Sequence, residues 1–211
     1  MTTFYDVAAK TARFLALLLA QTEVQGIENV PSKGAFVVAP NHFHVADPAV
    51  LCAFFPRRIS FMVKQEAWDT PIFGWLSRQT GAFPVRRGEI DRVAYRRARE
   101  ILNSGEVLGI FPEGHRSIDG KLQPGQPGAI VLAQRAGVPI VPVALSGICE
   151  VLSYPGLVRR QPIRIVIGQP YHPPQNGHAH ISEAVNDLMA RISELLPPQH
   201  QSSLGEHTRF S

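Results

Sequence analysis

The sequence predicts an α/β fold: a single layered domain with a central, mostly covered sheet flanked by helices, plus an N-terminal amphipathic helix. Three observations carry that prediction. Short β-branched runs alternate with segments of helical periodicity. Several of these runs are apolar at every position instead of every second one, as strands covered on both faces are. The 211 residues contain no Pro/Gly/Ser-rich linker and no charge block that would divide them.

The elements follow in chain order. In the first segment, residues 1–22, Phe4, Val7, Ala8, Phe14, Leu15 and Leu18 share a helical face opposite Asp6, Lys10 and Arg13. Two roles fit that pattern, a helix packed on the domain or a helix lying in a membrane interface. A bilayer span is not expected, because "FLALLLA" at Phe14 to Ala20 offers seven uninterrupted apolar residues where about 20 are needed. No cleavage pattern follows it, so a secretory signal is not expected either.

The domain proper is read over residues 23–198. Strands are expected at "AFVVA" (Ala35 to Ala39), "ISFMV" (Ile59 to Val63), "VLGIF" (Val107 to Phe111), "PIVPVAL" (Pro139 to Leu145) and "IRIVIG" (Ile163 to Gly168). Between them Ile90, Val93, Ala94, Ala98, Ile101 and Leu102 make a helical stripe whose other side carries Arg92, Arg96 and Arg99. A last helix places Ile181, Val185, Leu188, Met189, Ile192 and Leu195 on one face and stops at Pro197. Residues 199–211 lack periodicity and are expected to be a disordered tail.

Composition narrows the function classes. The net charge is +4 and the pI about 9.4, and six arginines fall between Arg86 and Arg99. Such a cluster suits an anionic partner: phosphate, nucleic acid or a lipid surface. The two cysteines, Cys52 and Cys149, both lie in apolar contexts, which suggests reduced core thiols and not a disulfide framework.

Chemistry concentrates in "VVAPNHFHVADP", residues 37–48. His42 and Asp47 are five apart, so they lie about 140° apart on a helix and on opposite faces of a strand; only a turn brings them together. Pro40 supplies a break before them, and Asp47-Pro48 is a helix-start signal. The spacing by itself leaves two readings open: Asp47 as a simple N-cap with His42 as a satisfied loop histidine, or a histidine and carboxylate acting as a pair.

Three further stretches accompany it in order: "GAFPVRR" (Gly81 to Arg87), "FPEGHRS" (Phe111 to Ser117) and "GVPIVPVAL" (Gly137 to Leu145). Together the four resemble the motifs of the glycerolipid acyltransferase superfamily, most nearly the 1-acylglycerol-3-phosphate acyltransferases. "VQGIENVP" (Val24 to Pro31) and "VKQEAWDTPIFGWL" (Val63 to Leu76) match as well, and the resemblance covers roughly residues 24–170.

The resemblance implies an acyl group passing directly from acyl-CoA or acyl carrier protein to a lysophospholipid hydroxyl. The acceptor it favours is 1-acylglycerol 3-phosphate, giving phosphatidic acid, with glycerol 3-phosphate or another lysolipid as the alternative. It implies no metal, no cofactor, no nucleic acid, and a cytoplasmic protein peripheral to the inner face of the membrane. It places a phosphate pocket at Arg87, Glu113, Gly114 and Arg116, with Lys64 a further candidate. The residues agree with this chemistry. A hydroxyl attacking a thioester must lose its proton as the bond forms, and neutral histidine suits that task near pH 7; His42 fits the base and Asp47 the carboxylate that orients its ring.

The departures from the family pattern surround the acceptor. His44 stands where Ser is frequent, His115 where Thr usually follows Glu-Gly, Arg86 where Asp or Asn is common, and Gly125-Gln126 where Phe-Lys usually precedes "GAIVLA". Two rival classes remain: a metal hydrolase using His42, His44, Asp47 and His115, and a noncatalytic nucleic-acid or membrane-binding module built on the arginine cluster.

Overall fold

A computed structural model describes residues 3–86, 88, 91–153, 159–174 and 180–201. Seven strands form one sheet: β1 (Gln21–Gln25), β2 (Phe36–Pro40), β3 (Ile59–Lys64), β4 (Phe83–Val85), β5 (Val107–Gly109), β6 (Ile140–Ser146) and β7 (Pro162–Ile167). Their spatial order is β1-β7-β6-β2-β5-β3-β4. Strands β6, β2, β5, β3 and β4 run parallel to one another; β7 is antiparallel to β6 and parallel to β1.

Strand β2 shows why the sheet must be covered twice. All five of its residues are buried, and alternate side chains point to opposite faces. Phe36 and Val38 join one apolar cluster, with Leu51 of α2 (Asp47–Phe54), Ala16 of α1 (Phe4–Leu19) and Val151 of the short helix Ile148–Leu152.

 The far layer holds α5a (Arg92–Asn103) and its neighbour α5b (Gly128–Ala136), together with α7 (Ile181–Leu195), while Val151 sits on the short α6 (Ile148–Leu152). There Val37 and Ala39 pack with Leu108, Ala98, Ile130 and Leu188. The five expected strands are all present, shifted at their ends by a residue or two. Two strands carry no such apolar signal. β1 alternates exposed and half-buried residues at one sheet edge, and β4 is three residues long with Pro84 inside it, at the other edge.

Helix α1 packs through its small residues. Ala16 and Ala20 are buried and Ala12 and Leu19 lean on the same cluster, whereas Phe14 is 65% exposed, Leu18 57% and Val7 52%. The apolar face expected from the sequence is therefore the outward one. Phe4 meets Trp75 of α4 (Pro71–Gln79), which follows the short α3 (Gln65–Trp68), edge-on at 5.2 Å, so the exposed Ile72, Trp75 and Leu76 continue the same surface. Among the described residues no helix is long and apolar enough to cross a membrane. On α5a the buried stripe is Ala94, Ala98, Ile101 and Leu102, with Arg92, Arg96 and Arg99 exposed. Val93, expected in the stripe, lies outward at 76% exposure; Ile90 lies outside the described residues. Both cysteines are free and half-buried. The expected tail begins instead with a docked 3-10 turn, Pro198–His200; residues 202–211 lie outside the described residues.

Candidate active site

Parallel strands deliver the ends of β2, β5, β3 and β4 to one edge of the sheet, which is where α/β sheets place their sites. The loop after β2 starts with Asn41, which is fully buried. Its side chain extends the sheet pairing: Nδ2 donates to the Leu145 carbonyl at 2.9 Å, and Oδ1 accepts the Leu145 N–H at 2.7 Å. This fixes the chain direction immediately before His42.

His42 and Asp47 meet across the turn, with Nδ1 and Oδ2 2.9 Å apart. The same Asp47 oxygen accepts the N–H groups of Phe43 at 2.7 Å and His44 at 2.8 Å. Asp47 is the first residue of α2, with Ala46 in the cap position. Its carboxylate thus faces back into the loop and does not cap the helix ahead. Because a carboxylate only accepts, Nδ1 of His42 carries the hydrogen and Nε2 is left with a lone pair. The His42 side chain is 12% exposed. Its ring stacks on Phe111 at 4.0 Å, and Phe111 stacks on Phe61 at 5.3 Å, so the imidazole has little freedom to swing.

The loop after β5 holds the backbone of His42 from both sides. Glu113 is fully buried; Oε1 accepts the His42 N–H at 2.6 Å and Oε2 the Gln123 N–H at 2.8 Å. Ser117 donates its N–H to the His42 carbonyl at 2.9 Å. Burial pushes the Glu113 carboxyl up to about 7, against the opposing pull of the two N–H bonds, with the negative charges of Asp47 and Asp119 adding to the rise. Among the described residues the buried polar or charged side chains are Asn41, Asp47, Ser77, Glu113, Ser117 and Ser146. Four of these six belong to the two loops, which marks the loops as a built structure and not a surface accident.

The expected pocket residues divide. Glu113 has both oxygens engaged beneath the loop, so it holds His42 and does not face a ligand. Gly114 adopts φ of 72°, a left-handed turn that glycine makes without strain. Arg116 is exposed and makes no ion pair among the described residues. Lys64 ends β3 and pairs with Glu66 at 3.1 Å. Arg87 lies outside the described residues. Arg86 donates its N–H to Asp91, the cap of α5a.

The two unusual histidines have local partners. Nδ1 of His44 accepts the Ala46 N–H at 3.1 Å, a turn contact that a serine oxygen also makes. Nδ1 of His115 donates to the Glu113 carbonyl at 2.9 Å. Among the described residues no group of three or more His, Cys, Asp or Glu is arranged to hold a metal ion. Sequence reasoning did not foresee the roles of Asn41, Phe111, Ser117 and Glu113. A polar Asn closing a wholly apolar run was the available signal for the first; the others depend on contacts between distant segments.

An Acyltransferase family model matches residues 21–146, which take in β1 to β6 and both loops. The chain belongs to the acyltransferase family. This acyltransferase is 29% identical over 199 residues to a 1-acyl-sn-glycerol-3-phosphate acyltransferase of Bacillus subtilis (strain 168), covering 90% of the chain and 96% of that relative. It is 30% identical over 159 residues to a chloroplastic 1-acyl-sn-glycerol-3-phosphate acyltransferase of Brassica napus, covering 72% of the chain; it spans 45% of that longer protein. In fold it is similar to the 1-acyl-sn-glycerophosphate acyltransferase PlsC of Thermotoga maritima, with a TM-score of 0.72 at 24% identity over 90% of this chain and 78% of that one.

Proposed function

We propose that this acyltransferase moves a fatty acyl group from acyl-CoA or acyl carrier protein to the free hydroxyl of 1-acylglycerol 3-phosphate, giving phosphatidic acid. The observation that carries this is the His42–Asp47 pair at 2.9 Å, in a loop whose backbone is fixed on both sides of the histidine. Relatives named for that reaction supply the acceptor.

In the proposed step, Nε2 of His42 takes the proton of the acceptor hydroxyl as its oxygen attacks the thioester carbonyl. Asp47 holds the ring and stabilises the imidazolium that forms. The tetrahedral intermediate collapses, the carbon–sulfur bond breaks, and the proton passes to the departing thiolate. No enzyme nucleophile and no cofactor enter the step. Arg116, Arg87 and Lys64, with the Gly114 turn, are the proposed cradle for the acceptor phosphate, since fixed cations and a guanidinium fork suit that group.

The acceptor and the product are lipids, and the outward apolar face of α1, continued by Ile72 and Trp75, is the proposed seat on the inner face of the membrane. The test is a product assay: purified protein, labelled acyl-CoA or acyl carrier protein, and a panel of 1-acylglycerol 3-phosphate, glycerol 3-phosphate and neutral lysolipids. Labelled phosphatidic acid is the expected product. Transfer to glycerol 3-phosphate alone would assign a different acceptor.

A further inference from the structure

The C-terminal turn reaches the catalytic loop, and the reaction as proposed does not use it. α7 ends before Pro197-Pro198, and the chain folds into the 3-10 turn Pro198–His200. His200 then makes contacts in three directions. Its ring lies 5.4 Å from the ring of Phe43, tilted by 40°. Its Nδ1 donates to the Gly120 carbonyl at 2.8 Å, and its own carbonyl accepts the Leu122 N–H at 3.0 Å. The side chain is 14% exposed, with Nε2 3.9 Å from Glu150.

Two routes lead from these contacts to His42. Phe43 is its chain neighbour, and the Phe43 N–H is one of the three donors on Asp47. Gly120 and Leu122 precede Gln123, whose N–H holds one oxygen of Glu113 while the other holds the His42 N–H. His200 thus touches both loops at the points from which His42 is aimed.

We propose that the Pro198–His200 turn is a brace for the catalytic loop and that His200 is a positioning residue for His42. This rests on His42 being the base. An imidazole and a carboxylate separated by a flexible turn keep their geometry only while the turn is clamped, and displacements near 1 Å cost on the order of a hundredfold in rate. The brace acts on the chemical step and leaves both substrate sites intact.

The test uses the full chain with His200→Ala, His200→Gln and His200→Phe beside His42→Ala. His200→Ala is expected to lower kcat roughly ten- to a hundredfold with both KM values within about twofold, and to speed amide exchange at residues 41–47 and 120–123. His200→Gln, which keeps a donor for Gly120, should recover part of both losses. His200→Phe keeps bulk against Phe43 and serves if the alanine variant does not fold; its loss should be intermediate. Unchanged exchange in those two loops, or a kcat within about twofold of wild type in a folded His200→Ala protein, overturns the brace. Loop exchange decides the brace even if His42→Ala proves active, an outcome that would refute the base assignment instead.

Discussion

At Asp47 one oxygen accepts three donors, so the side chain fixes the turn and the imidazole together. Glu113 does the same for backbone from two other segments, and here the choice of carboxylate over amide matters. A glutamine at this position has one acceptor oxygen for two N–H groups. Glu113→Gln should therefore leave a buried N–H facing an amide NH2 and cost about 1–3 kcal/mol in chemical denaturation. The sign of its pH dependence also follows. The carboxyl is raised from 4.5 to about 7 in the fold, so its contribution to stability is fully present below the unfolded value and is lost as pH rises through the folded one. The stability gap between wild type and Glu113→Gln should shrink between about pH 5 and about pH 8; a gap that widens would contradict the burial argument. Exposed Arg116 makes a different prediction. Arg116→Ala should raise the acceptor's KM by roughly tenfold and leave the donor's unchanged, because one charge-assisted contact is lost. Equal effects on both would remove it from the phosphate cradle. Neither Glu113's burial nor Asn41's two hydrogen bonds to the Leu145 backbone were legible in the sequence, since each depends on a partner far along the chain.

Among the elements, the central strands were legible and the edge strands were not. β2 and β6 are buried at every position and almost wholly apolar because both their faces are covered, whereas β1 and β4 pair on one side only and carry exposed or half-buried residues. Helix α1 shows a further limit. Periodicity says which residues share a face, and it does not say which face meets the protein. The small residues Ala12, Ala16 and Ala20 allow close approach to α2, and the larger side chains are left outside. Since Ala16 and Ala20 belong to the core, deleting the helix confuses membrane binding with folding. The paired change Phe14→Asp with Leu18→Asp avoids this. It should abolish co-flotation with anionic phospholipid vesicles while changing stability by no more than about 0.5 kcal/mol per site, as exposed positions allow. Unfolding of that variant would mean that the face is packed in solution. Retained flotation would place the lipid contact elsewhere.

For the whole molecule, the parallel sheet turns separations in sequence into nearness at one edge. His42 and Arg116 follow β2 and β5 and Lys64 ends β3, and these strands are consecutive in the spatial order β2-β5-β3 although helices separate them in the chain. The four ordered motifs implied the family and its α/β fold, and both are borne out. What the motifs did not convey is that Phe111, Glu113 and Ser117 of the third one, with the His200 turn, hold the His42 loop still. The central claim is that His42 removes the acceptor's proton, and it is tested most directly by kcat of folded His42→Ala with labelled acyl-CoA and 1-acylglycerol 3-phosphate. Loss of a general base predicts a fall of about a hundredfold to ten-thousandfold with unchanged stability; a kcat within a few fold of wild type would contradict it.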